Sequence, residues 1–178
     1  MPHVAVTAVG VDRPGIVAAV TGVLLDHGGN LEDTAMTRLG GHFAMVLVVE
    51  VPGAEDAAGL EQALAAGTAD LGLTVTVRPI GEVAEVAETG SPWAVTVHGA
   101  DQPGIVHRVA TTLAGHGANI VDLSTRRLTT GAGTGYVVLL EVLLPTGVDE
   151  GAVEADLDRL AADLGVEVHL RADEADVL

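Results

Sequence analysis

An eight-residue stretch, GVDRPGIV from Gly10 to Val17, recurs as GADQPGIV from Gly99 to Val106, an offset of 89 residues. Aligning Val4–Leu39 with Trp93–Leu128 needs no gap and leaves nearly half of the positions identical. The matched pairs include Asp12 with Asp101, His27 with His116, Asn30 with Asn119, Asp33 with Asp122 and Arg38 with Arg127. The chain is a duplication, and whatever it folds into must be one small unit made twice.

Each repeated stretch comes after a β-type run and opens a helical pattern, so it reads as a strand-to-helix turn. Pro14 and Pro103 suit the first helical turn, where a missing N–H costs nothing. Gly15 and Gly104 leave the backbone amides accessible. A helix N-terminus offers unpaired N–H groups and the positive end of a dipole, so an anion can dock there.

In chain order, His3–Gly10 alternates as a strand with two nearly apolar faces, which suits an inner position in a sheet. Pro14–His27 carries Ile16, Val17, Val20, Val23 and Leu24 at the spacing of one buried helix face, and ends at Gly28. Asn30–Leu39 is a second strand, Gly40-Gly41 a two-residue hairpin, and Phe43–Val51 a strand apolar enough to be wholly buried. A helix over about Glu55–Leu71, locally weakened by Gly67, and a strand over Thr74–Val77 complete the first copy. The second copy repeats this from Trp93, with a longer TTGAGTG hairpin at Thr129–Gly135, a strand over Tyr136–Leu144, a helix near Asp149–Leu164 and a strand over Val166–Leu170. The order strand, helix, strand, strand, helix, strand is a ferredoxin-like βαββαβ unit of the α+β class, an antiparallel sheet with helices on one face. The expected division is residues 1–80, an acidic linker at 81–92, residues 93–172 and a tail at 173–178.

Composition removes several classes of function. A net charge of −17, from 25 acidic against 8 basic residues, argues against direct nucleic-acid binding. No cysteine is present, which excludes disulfides, thiolate catalysis and Cys-ligated metals. The seven histidines show no metal-ligand spacing: His27 and His116 read as helix-end residues, and His98 and His107 flank only the second turn, opposite Val9 and Ala18 of the first copy. The GAGTG run lies between strands and opens no helix, so it does not read as a phosphate loop. No pair of carboxylates stands out for acid–base work, and neither catalysis nor a cofactor is expected. With no apolar run of membrane-spanning length and no leader pattern, a cytoplasmic protein is expected, without membrane contact.

The paired turns, each leading into a helix and then HGGN or HGAN, resemble those of ACT domains, and the two copies cover nearly the whole chain. Two such domains without a catalytic domain resemble the regulatory proteins related to the glycine cleavage system repressor. The resemblance implies a regulatory module that binds a small ligand, usually an amino acid, at an interface between paired domains. Onto this sequence it maps Asp12, Arg13, Pro14, Gly15, Ile16, Asn30 and Leu31, and in the second copy Asp101, Gln102, Pro103, Gly104, Ile105, Asn119 and Ile120. Backbone amides near Gly15 and Ile16, or Gly104 and Ile105, would take a carboxylate. Asn30 and Asn119 would bond an ammonium or a carboxylate. Side-by-side pairing into a longer sheet, within the chain or between chains, is also implied, the latter giving a homodimer.

The plainer readings stand beside these. Asp12 and Asp101 either attract an ammonium or simply hold the turn, and Asn30 and Asn119 either meet ligand or satisfy backbone groups after a helix-ending glycine. The apolar Ile16, Val17, Leu31, Ile105, Val106 and Ile120 favour a branched-chain amino acid, Val, Leu or Ile. Serine or glycine is the alternative. The replacement of Arg13 by Gln102 leaves room for the copies to differ. Three functions remain, in this order: an amino-acid sensor that modulates a protein partner, a ligand-independent interaction module acting on a transcription factor or metabolic enzyme, and an enzyme whose site leaves no mark in the sequence.

Overall fold

A computed structural model of the chain describes residues 2–52, 56–81, 90–130 and 133–172. The chain divides into two compact units, Met1–Val86 and Ala87–Leu178. The first contains β1 (His3–Val11), α1 (Ile16–Asp26), β2 (Asn30–Leu39), β3 (His42–Glu50), α2 (Ala57–Gly67) and β4 (Thr74–Ile80). The second repeats them as β5 (Ser91–Ala100), α3 (Ile105–Gly115), β6 (Asn119–Thr130), β7 (Gly133–Leu144), α4 (Glu150–Leu164) and β8 (Glu167–Ala172). Each unit is a four-stranded antiparallel sheet, in the order β2-β3-β1-β4 and β6-β7-β5-β8, so the strand preceding the repeated turn lies inside its sheet, as its two apolar faces predict.

The helices cover one face. Val4, Val6 and Ala8 of β1 and Phe43, Met45, Leu47 and Val49 of β3 are buried against Ile16, Val20 and Leu24 of α1 and Leu60 and Leu64 of α2. The second core repeats this with Val95, Val97, Val138, Leu140, Ile105, Val109, Leu113, Val153 and Leu157. Gly10 and Gly99 let the end of the central strand approach the segment beyond the second helix: a Cβ would lie 2.7 Å from Leu73 Cδ2 in unit 1 and 2.6 Å from Val166 Cγ1 in unit 2.

Several local expectations change. β3 is buried on one face only: Val46, on the other, is 49% exposed, because no helix layer covers that side. The first helix begins at Ile16, not Pro14, because Gly15 precedes it in a left-handed conformation that no helical residue shares. Gly67 ends α2, and a separate 3₁₀ turn carries the chain over Ala69–Leu71. Ser91 and Pro92 open β5 instead of ending the linker; β8 pairs β5 only from Trp93, so the missing N–H of Pro92 faces no strand on that side. Residues 82–89 of the linker, the hairpin tip at 131–132 and the tail at 173–178 lie outside the described residues.

Candidate ligand site

The turn is held by contacts to the second strand and its hairpin. Beyond β1, the Asp12 N–H donates to the Gly41 carbonyl at 3.0 Å, tying the turn to the β2–β3 hairpin. The Asp12 carboxylate meets Arg38 Nε at 2.7 Å, and Asp101 meets Arg127 Nη2 at the same distance. Each aspartate is paired with an arginine of the second strand, and neither caps the helix that follows it. Arg13 is exposed, whereas Gln102 donates from Nε2 to the Leu164 carbonyl at 2.5 Å and is tied to its own unit. The two turns therefore differ at this position.

Pro14 and Pro103 precede their helices, with Gly15 at φ 93° and Gly104 at φ 95° next in the chain. The helical ladder starts with Ala19 N–H donating to Gly15 O and Arg108 N–H to Gly104 O, each at 2.9 Å, so the amides ahead of these have no intrahelical acceptor. No side chain caps either helix. The other two helices contrast with these: Asp56 accepts from Gly59 N–H and Asp149 from Ala152 N–H. One chain thus caps α2 and α4 with carboxylates and leaves α1 and α3 uncapped.

A solvent-open depression adjoins each uncapped start. In unit 1 it has a volume of about 570 Å³ and is lined by Asp12, Arg13 and Gly15 to Ala18 with Met36, Arg38 and Phe43. In unit 2 it has about 400 Å³, lined by Asp101 to His107 with Arg127 and Tyr136. Phe43 and Tyr136 are equivalent, since they pair with Gly10 and Gly99 of the central strands. Arg38, Arg127, Phe43 and Tyr136 were not among the expected site residues. The recurrence of Arg in both copies was the available signal for the first pair.

The other expected residues are placed differently. Ile16 and Ile105 are 2% exposed and pack in the cores, because they begin the buried stripe of their helices; they border the depressions but offer little side-chain surface to them. Val17 is 44% and Leu31 41% exposed, while Val106 and Ile120 pack against the second core. Asn30 stands opposite Glu50 and so beside His3, whereas the turn is beside the Leu39–His42 end. Asn119 is likewise paired with Leu143, remote from Gly135. Within one unit, the turn and the asparagine lie at opposite ends of the sheet.

Of the histidines, the His27 Nδ1 bonds the Val23 carbonyl at 2.8 Å, the helix-end role expected. His116 pairs instead with Asp156 at 2.9 Å. His107 lines the second depression; His98 lies beside His169, with ring centroids 6.4 Å apart. A further cluster, His3 with Glu32 and Glu50, escapes any search for local metal-ligand spacing because it joins three strands. Among the described residues no helix is long and apolar enough to cross a membrane.

Comparison with known proteins agrees with this architecture. The ACT domain family model matches residues 3–78 and again 93–171. A UPF0237 protein of Methanopyrus kandleri is 40% identical over 79 residues, covering 44% of this chain and 88% of that protein. The glycine cleavage system transcriptional repressor of Escherichia coli is 30% identical over 125 residues, covering 70% of this chain and 64% of the repressor. The crystal structure of a protein of unknown function from Galdieria sulphuraria superposes with a TM-score of 0.80 at 29% identity, covering 97% of this chain and 98% of that one.

Proposed function

The chain belongs to the ACT domain family, carries two such domains in tandem and is related to the glycine cleavage system transcriptional repressor and the UPF0237 proteins; from that premise we propose that it is a regulatory amino-acid sensor. In this reading an amino acid binds where two ACT domains meet edge to edge and changes the chain's affinity for a protein partner, through unequal binding to two packing states. The observation that carries it is the contrast between the capped α2 and α4 and the uncapped α1 and α3, whose unpaired N–H groups face an open depression in each unit.

Topology supplies a reason for two domains. Because the turn and the asparagine occupy opposite ends of a unit, antiparallel pairing of exposed second strands would bring Asn30 or Asn119 of one domain beside the turn of another. A carboxylate would then sit at the helix start and an ammonium beside the asparagine amide. The exposed Val17 and Met36 in unit 1, and Val106 and Tyr136 in unit 2, make an aliphatic ligand of the Val, Leu or Ile type the preferred one, ahead of serine or glycine. Pairing between copies of the chain makes the functional form a homodimer.

The test uses Ala18→Glu with His107→Glu. Both positions are exposed, both line the depressions, and both lie in the first helical turn, where a carboxylate favours the helix by about 0.3–1 kcal/mol. The double variant should fold normally and lose amino-acid binding; retained affinity would place the site elsewhere. A second reading, ligand-independent docking of a protein partner, draws on the exposure of every residue of β2. Partner binding unchanged by any amino acid would favour it.

A further inference from the structure

Unit 1 brings His3 of β1, Glu32 of β2 and Glu50 of β3 together, with one nitrogen or oxygen of each within 4.8 Å of the others. The placement comes from strand register. His3 stands directly opposite Glu50, and the register shift between Leu31 and Asp33 leaves Glu32 at a β-bulge, which re-aims its side chain toward the row. His3 Nε2 lies 3.1 Å from Glu32 Oε2. The imidazole is largely enclosed, with its side chain 13% exposed, and its Nδ1 is buried without a hydrogen-bond partner. The polar contact of the ring is therefore made through Nε2, on the side of the two glutamates.

The duplication provides an internal comparison. The equivalent positions in unit 2, fixed by the same alignment and the same strand pairings, are Pro92, Val121 and Leu143. Val121 occupies the same bulge, so the irregularity does not require a carboxylate. All three polar residues of unit 1 are apolar in unit 2, and the fold is the same. Strand pairing thus needs none of them.

We propose that His3, Glu32 and Glu50 form a binding site for a divalent transition-metal ion, with His3 Nε2 and one oxygen from each glutamate as ligands. The donor chemistry selects the ion: one imidazole with two carboxylates suits Zn²⁺ and its first-row neighbours, whereas Mg²⁺ and Ca²⁺ prefer oxygen alone. The two carboxylates match a double positive charge when the imidazole is neutral. Three protein ligands near the surface leave coordination positions for water, which describes an exchangeable site and not a closed structural one.

The test is calorimetric titration of the full chain, stripped with chelator, using Zn²⁺ as the probe and Ca²⁺ as the comparison. Wild type should bind one Zn²⁺ per chain at this site, with Ca²⁺ at least about 10-fold weaker. The triple variant His3→Val, Glu32→Val, Glu50→Leu makes all three positions apolar, as in unit 2, and keeps the backbone N–H of residue 3, which pairs with Ile80 of β4; it should lose that binding while keeping its circular dichroism. Should it not fold, Glu32→Gln with Glu50→Gln removes both charges at nearly constant shape and should lose the same site. Absence of saturable Zn²⁺ binding in wild type, or an undiminished site in the folded variants, would overturn the proposal.

Discussion

At the scale of single residues, Gly15 and Gly104 do the least replaceable work. A Cβ added to either would meet nothing within 4 Å, yet their φ angles of 93° and 95° are hard for any L side chain to adopt. Gly15→Ala and Gly104→Ala should each lower stability by about 1–2 kcal/mol in urea unfolding, with Gly15→Asn milder because asparagine tolerates left-handed backbone. An alanine variant as stable as wild type would contradict the geometry. The Asp-x-Pro-Gly spacing made these glycines legible as turn residues. It did not reveal that they stand outside the helix, since proline is common at a first helical position and the left-handed glycine shifts the start by a local conformation that periodicity does not register. The Asp12–Arg38 and Asp101–Arg127 pairs were present in the sequence as recurring residues, but their contact joins a loop to a strand and depends on the fold.

At the scale of elements, four helices of similar burial differ in how they begin. Asp149→Ala removes the side chain that accepts from Ala152 N–H and should cost about 1 kcal/mol, within a usual range of about 0.5–2, seen as an earlier unfolding midpoint. No such carboxylate is lost from α1 or α3, because neither has one. The apolar stripes of all four helices could be read from spacing, since one face of each packs on a sheet. The exposure of half of β3 could not: an almost continuous apolar run fits a strand covered on both faces, and only the second layer's absence decides otherwise. On the edge, Ala35→Lys places a charge on a strand whose residues are all exposed. If edge pairing holds the dimer, this variant should shift light scattering toward the single-chain mass with little loss of thermal stability; an unchanged mass would exclude pairing through β2.

At the scale of the whole molecule, duplication made the architecture readable: two copies of one pattern, each with its own core, result from an aligned repeat and the order of its elements. The site was readable only in part. The turns declared themselves twice, but the asparagines belong at the far end of each sheet, a separation set by antiparallel register and not by distance along the chain. The His3 cluster was silent for the same reason. Whether the chain senses amino acids is decided by titrating the purified, ligand-free protein with each of the twenty in a calorimeter, with thermal stability recorded in parallel because a ligand of the folded state raises it. Saturable binding of a narrow aliphatic set, with a higher melting temperature for those alone, is the predicted result. No saturable binding of any of the twenty would contradict the sensor reading and leave protein–protein docking as the function of this chain.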